Sequence, residues 1–305
     1  MEEHHHVQGD MSTLKFLGVT LLNILITLAE LIGGLLSGSL SLISDAFHNM
    51  EDTVSIVLAF VTHLIAKKSN DERQTFGYKR AEILAAFINA VVLIVITVLL
   101  IIESIKRLGK VQAINGNMML VVAIIGLAAN LISMLLMMQG ARNNLNIKAT
   151  FLHMASDTLS SVGVIVAAIL IKLFGWYWAD PVITILTAAW IMKASLEVLK
   201  QAVSILMEAS PNLDLHAICA TILQIPEVSS VHHVHLWRID EELIAFDAHI
   251  NIKDNINVSE LELLYQQIGT LLKTQYGIGH VTLQAEYKRG LQEKLLADRR
   301  QGSSE

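Results

Sequence analysis

Two stretches of this chain, Ile83–Ile102 (ILAAFINAVVLIVITVLLII) and Met118–Met138, carry no charged side chain from end to end. A hydrocarbon core about 30 Å thick is crossed by roughly 20 apolar residues of helix, so each stretch is long enough to span a bilayer. Four less pure stretches follow the same pattern: Leu14–Leu36, Leu40–Ala66, Ile147–Ile171 and Tyr177–Leu199. The sequence therefore predicts six transmembrane helices. Gly33-Gly34, Gly38, Asn115-Gly116-Asn117, Gly140 and Gly175 with Asp180-Pro181 mark the turns between them. Composition agrees, since only 16% of the 305 residues are charged, against about 25% in an average soluble domain.

The apolar residues end early. From about Ser204 the pattern is that of soluble protein. Asp214–Leu223 and Val258–Thr274 read as helices, and Val231–Ile239, Leu243–Ile252 and His280–Tyr287 read as strands. The expected organisation is a cytoplasmic N-terminal tail (1–13), a six-helix transmembrane domain (14–203), a cytoplasmic α+β domain of order αββαβ (204–290) and a polar, disordered tail (291–305). The single cysteine, Cys219, excludes an internal disulfide and a Cys-rich zinc site. A net charge of −6 gives no reason to expect nucleic-acid binding. Six spans place both termini on one side. The short segments there hold Lys15, Lys67, Lys68, Arg73, Lys79, Arg80, Arg142 and Lys148, against Lys106, Arg107, Lys110 and Lys172 opposite. This bias predicts a multi-pass protein with both termini in the cytoplasm. Trp176, Tyr177 and Trp178 would then lie at the outer interface.

Ionisable groups inside a membrane are expensive, at about 2.5–3.5 kcal/mol for Asp at a helix centre on insertion scales. The second span nevertheless holds Asp45, His48, Glu51 and Asp52, and the fifth holds His153 and Asp157. His48 and Asp52 are four residues apart, as are His153 and Asp157, so each pair shares one helix face. HNMEDTVS and HMASDTLS share H-x-x-x-D-T-x-S, an internal repeat of the kind found in transporters. An odd separation makes the two helices antiparallel, and their faces can meet. Two imidazoles and two carboxylates form a tetrahedral donor set suited to Zn²⁺, whereas Mg²⁺ and Ca²⁺ prefer oxygen cages. Protonation of His48 or His153 would compete with the metal, which predicts exchange of metal for protons. The bland alternative is that each His/Asp pair only satisfies itself, and the duplication weighs against it. Asp45 is open between a gateway or proton-relay role and a helix-start role. An enzyme is not expected, because a catalytic zinc keeps an open position and no GxSxG-like elbow is present. A sensor with a membrane anchor would leave the buried repeat unexplained.

SGSLSLISDAFHNMEDTVS, FGYKRAEILAAFINA, LHMASDTLSSVGV, WADPVITIL, VHHVHLW and HVTLQAE together resemble the cation diffusion facilitator family, specifically its bacterial zinc-transporting members. The resemblance covers nearly the whole chain. It implies six transmembrane helices, a cytoplasmic metallochaperone-like domain of ferredoxin type, and a homodimer exchanging cytosolic Zn²⁺ for protons. It also implies that His48, Asp52, His153 and Asp157 form the transport site, with selectivity for zinc and sometimes cadmium. A second metal site of some members matches Asp71, Gln74 and Tyr78 here, where only the carboxylate remains, so that site is not expected.

The terminal domain of some members binds zinc at the dimer interface, and the matching positions are His232, His249, Gln284 and Glu286. A regulatory or structural zinc site of His232, His249 and Glu286 is the expectation, with His4–His6 as further ligands. His4–His6 could equally be a solvated tail or a cloning remnant. Strand alternation supports the site only in part. His249 shares a polar face with Asp247 and Asn251, but His232 alternates with Val234 and Leu236 and reads equally as a core histidine. His233, His235 and His280 are alternatives with structural roles.

Overall fold

The computed structural model describes residues 13–66, 70–110, 112–138, 145–290 and 294–296. The chain divides into two compact units, one of residues 1–61 and 88–199, the other of residues 62–87 and 200–305. Six long helices come first: α1 (Thr13–Ser37), α2 (Leu40–Ala66), α3 (Arg80–Gly109), α4 (Gly116–Met138), α5 (Leu145–Phe174) and α6 (Ala179–Leu206). Among the described residues, five of them are long and apolar enough to cross a membrane. The remaining one, α2, carries the acidic residues Asp45, Glu51 and Asp52.

The first unit is apolar outside and polar inside, the reverse of a soluble bundle. Leu21, Leu25, Leu28, Ile32 and Leu35 form an exposed stripe on α1, and Ile88, Val92, Val95, Leu99 and Ile102 form one on α3. Water would not tolerate such a surface, whereas lipid does. Glu30, Asp45, Asn49, Asn130, Asp157, Ser161 and Asp180 are all buried. Small residues allow the helices to approach closely, as is common in membranes. A side chain at Gly33 would collide with Val122 of α4 at 2.6 Å, and one at Gly34 with Ile43 of α2 at 2.7 Å.

The start of α2 is held by a residue far along the chain. Asp180, fully buried at the start of α6, accepts hydrogen bonds from the Ser39 hydroxyl (2.6 Å), the Ser41 hydroxyl (2.7 Å) and the Leu40 and Ser41 amides (2.8 and 3.1 Å). The Ser39 hydroxyl in turn accepts from the Leu42 amide. Orphan donors of a helix N-terminus are thus met by a carboxylate, which also suits the helix dipole. This fixes the height of α2, and with it His48 two turns further on.

The second unit contains α7 (Leu215–Ile222), β1 (Val228–Arg238), β2 (Ile244–Ile252), α8 (Val258–Tyr276) and β3 (Ile278–Glu286), in the expected αββαβ order. Asp214 caps α7 by accepting from the His216 and Ala217 amides. Asn257 and Glu260 form a capping box at the start of α8, and Gly277 (φ 69°) closes its end in the left-handed conformation. The sheet order is β1-β2-β3, with β1 antiparallel and β2–β3 parallel. Ile218, Ile222, Phe246, Ala248, Ile250, Leu264, Ile268 and Leu272 pack together as the core, so both helices cover one face of the sheet. The other face carries Asp247, His249 and Asn251.

Two segments near the expected domain edges make contacts in the second unit. Residues 62–87, placed by sequence inside the transmembrane domain, belong to the second unit. Lys79 pairs with Asp240 (3.4 Å), Arg80 with Glu208 (3.0 Å), and Phe76 sits edge-on to His280. These are long-range partners that no local pattern reveals. Leu295, within the expected polar tail, packs against the core and its carbonyl accepts from the Val234 amide. The remainder of 291–305 lies outside the described residues.

Replacing Asp180 with Ala would strand four donors at the head of α2, at about 1–3 kcal/mol for each buried unsatisfied group. The thermal midpoint of the detergent-solubilised protein should fall clearly, and an unchanged midpoint would disprove the capping role. Burial pushes the Cys219 thiol up to about 11, which keeps it protonated and unreactive at mildly alkaline pH. Maleimide labelling of Cys219 should be slow in folded protein and rapid after denaturation.

Candidate metal centres

The first centre lies where α2 meets α5. Asp45 accepts hydrogen bonds from Ser160 (3.0 Å) and Ser161 (3.1 Å), and one turn along α2 His48 Nε2 lies 3.0 Å from Asp157 Oδ1. The register advances on α2 as it retreats on α5, so the two helices run antiparallel, as the repeat predicts. His48, Asp52 and Asp157 each offer a ligand atom within 4.8 Å of the others. His153 lies one turn before Asp157 on α5, and its side chain lies outside the described residues. Glu51 adds a carboxylate 3.6 Å from His48 Nδ1.

Around this centre the polar groups are braced. Ser161 also accepts from Asn130 of α4 (3.1 Å), and Asn49 of α2 donates to Glu30 of α1 (2.7 Å). Asn23 of α1 donates to the Asn49 carbonyl and to Thr53. Asn23 and Asn130 thus tie neighbouring helices together by hydrogen bonds. Asp45 lies in the second turn of α2. It is 5% exposed and ties α2 to α5 through two hydroxyls.

The second centre lies on the open face of the sheet. His232 Nε2 is 3.3 Å from one oxygen of Glu286, and His249 Nδ1 is 3.1 Å from the other. Gln284 donates to the latter oxygen (3.0 Å). All three candidate ligands lie within mutual reach of one ion. His232 is only 2% exposed, yet it is not part of the hydrophobic core. The register explains this. His232 pairs with His249 and His235 with Asp247, so two residues of β1 oppose Ala248 alone. This is a β-bulge, and His233 sits in it with φ 51°. The bulge lets His232 face the ligands while Val234 and Leu236 face the core. It also brings His233 onto His249 (ring centroids 4.6 Å apart) and beside His235 (5.1 Å). Simple alternation misses this, and the adjacent histidines were its only sequence signal. Gly290 (φ 64°) closes over the centre, since a methyl there would press on His232 and Glu286. His4–His6 lie outside the described residues.

Asp71 does different work. Its carboxylate accepts from the Arg73 and Gln74 amides (2.8 and 2.7 Å) and from the Tyr78 hydroxyl (3.2 Å). These bonds fold the loop before α3 and hold the carboxyl below its ordinary range, the amides contributing most.

An apolar helical bundle with a buried imidazole–carboxylate cluster, joined in sequence to a small α+β domain, defines a multi-pass membrane protein with two donor clusters that could hold a metal ion. The chain belongs to the cation efflux family: residues 17–207 match its transmembrane domain and residues 210–288 its cytoplasmic domain. It is similar to the cadmium, cobalt and zinc/H(+)-K(+) antiporter of Bacillus subtilis strain 168, at 42% identity over 84% of this chain and 83% of that protein. It is similar also to the zinc transporter ZitB of Escherichia coli K12, at 38% identity over 86% and 83%. The metal cation efflux system protein CzcD of Cupriavidus metallidurans is 37% identical over 93% and 89%.

Replacing Asp157 with Asn removes one anionic donor from the α2–α5 centre. Zinc affinity of the purified protein, read by competition with a chelating dye, should fall at least by the roughly 10- to 100-fold that loss of a mere outer-shell partner costs. Unchanged affinity would remove Asp157 from the ligand set.

Proposed function

We propose that the chain is a secondary active transporter that exports Zn²⁺ from the cytoplasm in exchange for H⁺. The single observation that carries this is the convergence of His48, Asp52 and Asp157 on one point inside an apolar bundle. His153, one turn from Asp157 on α5, completes a tetrahedral set of two imidazoles and two carboxylates. Two carboxylates neutralise a divalent ion, so a dehydrated cation can rest in the bundle without net charge. Cd²⁺ and Co²⁺ accept the same donors, and relatives carry those metals in their names.

Six transmembrane helices, both termini in the cytoplasm and residence in the inner membrane complete the reading. The charge asymmetry of the connecting segments supports this orientation. Alternating access follows from the site's position on the α2–α5 seam, which exposes it to one side at a time. Histidine protonation displaces the metal and couples release to proton uptake. The protein acts as a homodimer, its cytoplasmic domains meeting across the open sheet face. There His232, His249 and Glu286 hold a regulatory or structural Zn²⁺, the N and O donors matching that ion.

Purified protein in liposomes should take up zinc when the lumen is acidic, and Asp157→Ala should abolish uptake. Binding without flux would instead indicate an enzyme, and flux unaffected by the substitution would indicate that the seam is not the path. His249→Ala should reduce the zinc bound per chain while leaving the α2–α5 centre able to bind. Retention of the full complement would exclude the cytoplasmic site.

A further inference from the structure

Glu30 is the one buried carboxylate near the α2–α5 centre that the reading above leaves without a task. It is 1% exposed, in the middle of α1. Oε2 accepts from Asn49, the residue next to His48. Oε1 is buried and has no hydrogen-bond partner among the described residues. It rests against Gly126 of α4, the only kind of residue that leaves it room.

The one group within its electrostatic reach that can carry positive charge is His48, which already faces Asp157 at 3.0 Å. Neither α2 nor α4 has a Lys or Arg, and α4 has no ionisable residue at all. On α1 the only other charged residue is Lys15, about four turns away. The titratable groups within electrostatic reach are Asp45 and His48 on α2 and Asp157 on α5. An isolated buried carboxylate without a counter-charge costs several kcal/mol. A protonated carboxyl avoids that cost.

Asp45 makes the comparison sharp. Each of its oxygens accepts from a serine hydroxyl, and two such donors favour its ionised form. Glu30 has one donor for two oxygens. A divalent cation on the α2–α5 seam would supply the missing positive field.

We propose that Glu30 is a proton carrier of the exchange, protonated while the α2–α5 centre is empty and ionised while it holds a divalent cation. This rests on the transport reading given above. On metal binding the Glu30 O–H bond breaks and the proton passes to water on the side to which the site is open. On metal release Glu30 takes a proton back from the opposite side. Asn49 is its positioning partner, linking the carboxyl to the turn of α2 that bears His48.

The test is the number of protons released per zinc bound by full-length protein in detergent, read with a pH-indicator dye in weak buffer. Glu30→Gln should release one proton fewer than the wild type, and Glu30→Asp should restore the count. Equal release by wild type and Glu30→Gln overturns the assignment and leaves the transport reading intact. A wild type that releases no protons overturns both. Should Glu30→Gln fail to fold, Asn49→Ala serves instead. It removes a donor that favours the ionised form, so the pH at which the proton is released should rise. An unchanged midpoint overturns the assignment.

Discussion

Carboxylates and imidazoles placed in an apolar bundle have no water to turn to, so each must find a partner on a neighbouring helix. The seam between α2 and α5 is where this requirement is met. Asp45 on Ser160 and Ser161, and His48 on Asp157, set the register of two antiparallel helices. The same contacts bring together the donor atoms of the proposed metal centre. Because the pairs are polar, the seam is specific. A shift of one residue would leave several groups unpaired, at about 1–3 kcal/mol each. If the proposed metal binds there, a cation would replace one partner with another rather than impose a wholly new cost.

The remaining helices hold that seam in place. Asp180 anchors the first turn of α2 from the start of α6, and Asn130 of α4 braces Ser161. Glycines at 33 and 34 bring α1 against α4 and α2, which places Glu30 beside Asn49. The apolar residues on the outside contribute solubility in lipid, whereas positioning comes from this inner polar lattice.

In the second unit a different device produces a similar donor set. A sheet covered by helices on one side leaves the other side available. The bulge at His233 gathers His232, His233, His235 and His249 there, with Glu286 supplied by the parallel strand β3. A stretch of four residues, HHVH, thereby places three imidazoles on one face, which regular pleating cannot do.

Much of this was legible in the chain itself. Apolar run lengths gave the long helices, because backbone polar groups in lipid must be satisfied within the segment. The H-x-x-x-D repeat put His48 with Asp52 and His153 with Asp157, since helical periodicity is a local property. The order of the αββαβ domain also followed from local pattern. Tertiary structure alone decided what depends on distant partners. It paired Asp180 with the head of α2 and drew residues 62–87 into the second unit through Lys79, Arg80 and Phe76. It turned His232 away from the core by a bulge that alternation cannot foresee. It also left one Glu30 oxygen without a hydrogen-bond partner among the described residues, because whether a buried group is satisfied depends on which helices surround it, and sequence spacing carries no record of that.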